Sequence, residues 1–287
     1  MMAELHNDTG HGKNTYPPSK GVPGMPEFEF NSAVGQETKR LLSGKVNTYE
    51  AQPFNGNDVP LGTRTSLYNA RRKKDKTAIG ISDHANAGNK DARGIGVFYW
   101  HTSPEAKKLA EIILDEYKKE FPDRKKYPIW GTGLFPSKPG TWTDLHMCRE
   151  TSGVFVLVEW EFMTNPDSLK LLKSNEYRKR CAKVKAKSVC RWYSIPFEQL
   201  KPQPVTSVKT DTTPSKRVNV VTGTLGPEYV KQITEFIRSK NWTAEIEFSK
   251  DKNPHAKIGW FNTGGAGLAE LENWLKARKW QYRLEDA

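Results

Sequence analysis

The chain has little cysteine and no long hydrophobic run. Only three cysteines occur in 287 residues, Cys148, Cys181 and Cys190, and none forms a CxxC pair. An odd, widely spaced set argues against a disulfide framework and against a cysteine zinc site, and implies reduced, structural thiols. No stretch approaches the ~18 apolar residues that a membrane helix requires, so no membrane insertion is expected. The first residues, MMAELHNDTGHGK, lack a basic start followed by an apolar run and a small-residue cleavage site, so no export signal is read there and synthesis is expected to end in the cytoplasm. What the chain does have is positive charge, +12 net. Such an excess predicts a polyanionic partner by long-range attraction. Nucleic acid, anionic lipid and an acidic cell wall all qualify.

The length supports two domains. KPQPVTSVKTDTTPSK, Lys201 to Lys216, replaces apolar periodicity with Pro, Thr, Ser and Val, a composition that buries too little surface to offset its ordering entropy. The expected organisation is a first domain over 1–196, a flexible linker over 197–216 and a small unit over 217–287. In the first domain a helix is expected near Ser32 to Leu42, strands at Ile79 to Ser82 and Ile95 to Trp100, and an amphipathic helix opened by Ser103-Pro104 that runs to about Phe121. GVFVLVEWEF is nearly continuous in apolar residues, as a strand buried on both faces should be. Helices after Asn165-Pro166 and around Glu176 to Trp192 complete an α/β fold, a twisted mixed sheet flanked by helices. In the last unit, RVNVV, AEIEFS, AKIGWF and QYRL alternate as strands, and two helical stripes, through Val230, Ile233, Phe236 and Ile237 and through Leu268, Leu271, Trp274 and Leu275, give the order βαββαβ, a ferredoxin-like pattern.

Four segments carry chemistry. DTGHG, Asp8 to Gly12, sets His11 between glycines, where the backbone is free to turn. PEFEFN, Pro26 to Asn31, puts Glu27 and Glu29 at a helix start, and His84 ends the strand in ISDHANA. Glu159 sits inside VFVLVEWEF, where a lone carboxylate is expensive to desolvate unless it is paired, protonated or used. Two imidazoles and one carboxylate are a common catalytic zinc set that leaves a position for water. The residues alone reach metal-assisted amide hydrolysis and no further.

In order, DTGHG, PEFEFN, VPLGTRTSLYNA, ISDHANA, GIGVFYW and VLVEWEFMTN closely resemble the zinc-dependent N-acetylmuramoyl-L-alanine amidases of phage endolysins and bacterial autolysins, from about Met2 to Trp192. The resemblance implies that His11, Glu27 and His84 hold Zn2+, with Glu29 the alternative to Glu27, and that Glu159 is the catalytic glutamate. It implies peptidoglycan as substrate, cut at the amide between N-acetylmuramic acid and L-alanine. Two departures stand out. Asp83 replaces an apolar residue and is placed to hydrogen-bond rather than pack, and Glu161 replaces a glycine. Asn86 and His146 are candidates to touch substrate. Arg64 and Asn69 read as packing or capping residues, and His6, His101 and His255 as surface or structural.

Behind such a domain the βαββαβ unit looks similar to SPOR-type peptidoglycan-binding modules, with Tyr229, Trp260, Phe261 and Tyr282 as aromatics better explained by core packing than by sugar stacking. The expectation is a monomeric endolysin, held in the host cytoplasm until release, that meets peptidoglycan and anionic wall polymers and binds no nucleic acid. Two readings compete with it. A zinc peptidase cutting within the stem peptide would use the same residues. A non-enzymatic nucleic-acid-binding protein would explain the charge but not Glu159.

Overall fold

In the computed structural model of the chain, the described residues are 2–197, 217–223, 226–239, 244–248, 254–262 and 266–286. They fall into two compact units, Met1–Pro202 and Gln203–Ala287. Apart from Phe197, the expected linker lies outside the described residues.

The first unit runs β1 (Glu4–Thr9), β2 (Gly21–Val22), β3 (Met25–Pro26), α1 (Glu27–Leu42), β4 (Asn47–Tyr49), α2 (Leu61–Lys74), β5 (Ile79–Asn86), β6 (Ile95–Trp100), α3 (Pro104–Glu120), β7 (Ile129–Ser137), α4 (His146–Glu150), β8 (Val154–Phe162), α5 (Pro166–Lys173) and α6 (Asn175–Trp192). Six strands form one mixed sheet in the order β4-β1-β5-β8-β6-β7. β4, β1, β5 and β8 are mutually parallel, and β6 turns antiparallel to β8. One face is covered by α1, α3 and α6, whose Val34, Leu109, Ile113, Cys181 and Val189 pack on Ile81, Val156 and Val158. Each such side chain contributes roughly 1.5–3 kcal/mol through burial. The opposite face carries α2 and α4 at one end, joined through Tyr68, Met147 and Phe155.

Local chemistry explains the helix starts. The Ser103 side chain accepts from Ala106 N at 3.1 Å with Pro104 in the first turn, a cap worth about 1 kcal/mol. Asn165 does the same for α5 through Asp167 N and Ser168 N.

Several elements depart from the expectation. α1 begins at Glu27, the helix start read from PEFEFN, and so takes in the residues ahead of Ser32, and β5 continues four residues past Ser82 to Asn86. His84 therefore lies two residues inside the strand rather than at its end. β1 has no apolar pattern, yet all six of its residues, ELHNDT, are buried. Their polar groups are satisfied by side chains from elsewhere. Asn7 donates to Gly35 O and accepts from Lys185, and Asp8 receives Arg64, Tyr68 and Ser82. A polar strand like this is stable because nearly all of its buried side-chain groups have partners; the Thr9 hydroxyl is the exception among them.

The second unit runs β9 (Arg217–Thr222), α7 (Pro227–Ser239), β10 (Ala244–Phe248), β11 (Pro254–Asn262), α8 (Ala266–Ala277) and β12 (Tyr282–Asp286). Its antiparallel sheet has the order β10-β11-β9-β12. Val220, Ile233, Ile237, Ile258, Leu271 and Leu275 form its core, as the helical and strand periodicities require. Tyr229 is exposed, whereas Phe261 and Tyr282 pack half-buried against that core; the side chains of Trp260 and His255 lie outside the described residues.

Candidate active site

Three neighbouring parallel strands, β1, β5 and β8, bring their carboxyl ends to one place, which is where open α/β sheets expose side chains to a ligand. After β1, Gly10 N donates to Asp83 O at 2.8 Å, holding the chain against β5. A Cβ at Gly10 would lie 2.2 Å from the His84 ring, so only glycine fits there. His11 follows with φ 62°, a left-handed conformation uncommon outside glycine. That turn carries its imidazole back over His84, the ring centroids 5.0 Å apart and edge-on at 88°.

Glu27 opens α1, where the helix dipole favours negative charge. Its Oε1 accepts from Ala85 N at 3.1 Å and from Asn31 Nδ2 at 3.2 Å, and lies 3.0 Å from His84 Nδ1. Its Oε2 is 3.4 Å from His11 Nε2. Asn31 also donates to Gly10 O at 2.8 Å, so one amide ties the helix to the histidine turn. One ligand atom from each of His11, Glu27 and His84 lies within 4.8 Å of the others. Glu29 is exposed on α1 and takes no part in this cluster.

The electrostatics suit a cation. Burial works against ionisation of Glu27, but the His84 hydrogen bond and the two imidazoles hold its carboxyl down to about 2. Burial pushes His11 down to about 4, leaving its ring nitrogens neutral at pH 7. At His84 burial opposes the charged ring, but the hydrogen bond and charge of Glu27 outweigh it and hold the imidazole above its ordinary value, so a cation would have to displace that proton; a carboxylate and two imidazoles are nonetheless a donor set that fits a divalent ion of zinc's type.

Glu159 is the register partner of His84 on the adjacent strand. Its Oε2 is buried without a hydrogen-bond partner. Burial raises its carboxyl to about 7, His84 opposing and Glu27 adding to the rise. These groups line a cleft of about 460 Å³ together with Lys20, Leu61, Arg64, Asn86, His146, Met147 and Leu157. Asn86 Oδ1 accepts from Ala87 N, and His146 Nε2 lies 3.4 Å from Thr65 Oγ1. Arg64 reaches the cleft wall but spends its guanidinium on Asp8 and Val59 O, and Asn69 joins α2 to Glu150 O and Ser152 N. His6 stacks on Tyr68 and His101 lies against Trp100, both outside the cleft.

Sequence reasoning assigned no role to Asp8, Asn31 or Lys185. Asp83 accepts from Trp160 Nε1 at 3.1 Å and pairs with Lys185, both members fully buried. Lys185 falls on the same helical stripe as Cys181, Ala182, Ser188 and Val189, and a lysine on an apolar stripe was the available signal. Glu161 is likewise buried, accepting from Gly94 N and Ser168 Oγ at 2.7 Å each.

The family described as N-acetylmuramoyl-L-alanine amidase matches residues 8–191. Three solved structures of such amidases share the fold. The enzyme of Nostoc punctiforme has TM-score 0.54 and 19% identity over 67% of this chain and 97% of its own. The catalytic domain from Bacillus (Paenibacillus) polymyxa var. colistinus has TM-score 0.54 and 19% identity over 68% and 100%. That of Mycobacterium smegmatis has TM-score 0.55 and 20% identity over 68% and 97%. No curated protein matches the chain.

Proposed function

The chain belongs to the N-acetylmuramoyl-L-alanine amidase family, with a peptidoglycan amidase function, and from that premise we propose that His11, Glu27 and His84 hold a zinc ion while Glu159 moves the proton. The observation that carries this reading is the convergence of the three ligand atoms within 4.8 Å beside a glutamate whose Oε2 has no partner. Zinc held there would polarise the scissile carbonyl and lower the pKa of a water towards neutrality. Glu159 Oε2 accepts the proton of the attacking water and returns it to the departing nitrogen of L-alanine. One C–O bond forms, the lactyl C–N bond breaks, and glycan separates from stem peptide. Asn31 and Ala85 N hold Glu27 so that its oxygens stay aimed at the two imidazoles.

The second unit extends the proposal. Its βαββαβ order and the strand order β10-β11-β9-β12 support a ferredoxin-like, SPOR-like wall-binding domain over 217–287, joined to the catalytic domain over 1–196 through the linker at 197–216. Tethering to the wall raises the enzyme's concentration at its substrate. A net charge of +12 adds attraction to anionic wall polymers. A monomeric lytic enzyme of the endolysin kind, retained in the host cytoplasm until release, fits this combination.

Mass spectrometry of the soluble products of purified peptidoglycan, with and without chelator, tests the reading. Free stem peptides beginning at L-alanine, absent with chelator, are expected. Fragments cut inside the peptide would make the protein a peptidase instead.

A further inference from the structure

β6 flanks β8 on the side away from β5, and its Gly96 is the register partner of Glu159. Paired residues point to the same face of a sheet. A Cβ at Gly96 would lie 2.9 Å from Trp130 and 3.0 Å from Phe135. The missing side chain therefore lets these two rings lie over the strand directly beside the glutamate, about one strand spacing, ~4.8 Å, across. Around them an aromatic group continues outward. Phe98 stacks on Phe135 at 5.1 Å, Phe162 meets Trp130 edge-on at 4.9 Å, and Trp142 stands 5.7 Å from Trp130 and 6.0 Å from Phe135.

Trp142 is 69% exposed, more than any other large hydrophobic side chain among the described residues. It is not on a loose loop. Thr141 and Thr143 share a hydroxyl hydrogen bond at 2.8 Å, Thr143 Oγ1 donates to Pro136 O at 2.9 Å, and Gly140 N donates to Asp144 Oδ2 at 3.1 Å. A tryptophan held in water by a hydrogen-bonded turn, at the edge of a half-buried aromatic group, offers a rigid apolar face rimmed by hydroxyls and a carboxylate. The patch is continuous with the cleft, since Leu145 and Leu157 belong to both.

We propose that Trp142 and Trp130 form a platform for a pyranose ring of the glycan strand, placing the sugar that bears the scissile amide beside Glu159. The proposal rests on the amidase reading. Its chemistry follows from the substrate. The lactyl group ties the amide to a sugar ring, so a ring must lie next to the proton-transfer residue, and the apolar face of a pyranose matches an aromatic surface, while Thr141 and the Arg149-paired Asp144 hold the turn that presents it. These residues position and select substrate and take no part in bond breaking.

The test compares full-length wild type, Trp142→Ala and Trp142→Phe in kinetics on solubilised peptidoglycan and in calorimetric titration with peptide-free glycan strands. For Trp142→Ala the expected result is a KM raised about tenfold, the scale of one aromatic contact, with kcat within a factor of about two. Glycan binding should weaken in parallel, and Trp142→Phe should recover most of both. Unchanged KM and unchanged glycan binding would overturn the platform, as would a fall in kcat alone. A dimer in sedimentation velocity that Trp142→Ala dissolves without any kinetic change would show that the patch covers a second copy instead. If the wild type released no stem peptides, the amidase reading would fail on its own, and the glycan titration would still decide the platform.

Discussion

On one side of β8, β5 sets His84 opposite Glu159, with Glu27 and His11 against it and the Asp83–Lys185 pair buried behind. On the other side, β6 sets Gly96 opposite the same glutamate, and Trp130, Phe135 and Trp142 spread over the space that the glycine leaves. The first flank is made of charges, each fixed by a partner, because a buried ion without one costs several kcal/mol. The second is made of rings, half-buried at Trp130 and Phe135 and open to solvent at Trp142. Glu159 lies on the boundary, with one of its oxygens buried and unpaired. On the proposed mechanism, chemistry belongs to the ionic flank and substrate holding to the aromatic one.

The comparison breaks most completely by removing the proposed metal site. His84→Ala, or chelation of the wild type, is expected to abolish hydrolysis and to remove bound zinc as read by elemental mass spectrometry, with circular dichroism unchanged. Zinc retained at full stoichiometry in His84→Ala would overturn the ligand assignment.

Glu159→Gln should leave zinc bound and lower kcat by ~100-fold to 10,000-fold, the range for a positioned general acid–base. The pH profile gives the sign. The base form is the carboxylate, so activity falls as pH drops through the Glu159 pKa, which burial sets at about 7 without a cation. A neighbouring divalent ion favours the carboxylate and moves that limb lower. In the glutamine variant the limb should vanish, and an unaltered acid limb would assign it to another group.

Lys185→Met sharpens the ionic side without touching the cleft. It strands Asp83 without its cation and should cost ~3–5 kcal/mol of stability in urea unfolding. Asp83→Val combined with Lys185→Met should recover part of that loss, since it removes the unpaired charge while leaving Trp160 Nε1 and Asn7 Oδ1 without their partners. If the double variant were as unstable as the single one, the pair would matter for packing rather than for charge.

The smallest effect on stability belongs to the aromatic side. Trp142→Ala should shift the unfolding free energy by no more than ~0.5 kcal/mol, as expected of an exposed side chain, even where it changes KM. A larger loss would make Trp142 a structural residue and erase the contrast between the flanks.

Much of this was legible in the linear chain. His11, Glu27, His84 and Glu159 stand in short motifs whose residue types and order carry the chemistry. The amphipathic stripes of α3 and α7 and the apolar run of β8 mark elements whose burial follows from local periodicity. β1 was not legible, because its buried residues are polar and read as loop until Arg64, Tyr68, Ser82 and Lys185 supply their partners. The end of β5 was misplaced for a related reason: His84 and Asn86 look like terminators by composition, and only pairing with the neighbouring strand makes them continue it.

By itself the sequence determined which residues can ligate, ionise or pack, because those properties belong to the side chains and to spacings of a few residues. The tertiary structure alone decided that Glu27 rather than Glu29 meets the histidines, that Lys185 lies under Asp83 across 102 residues, and that Gly96 opens a gap for rings from Trp130 and Phe135. These depend on register between strands and on which face of a helix is turned inward, and a shift of one residue would reverse each of them.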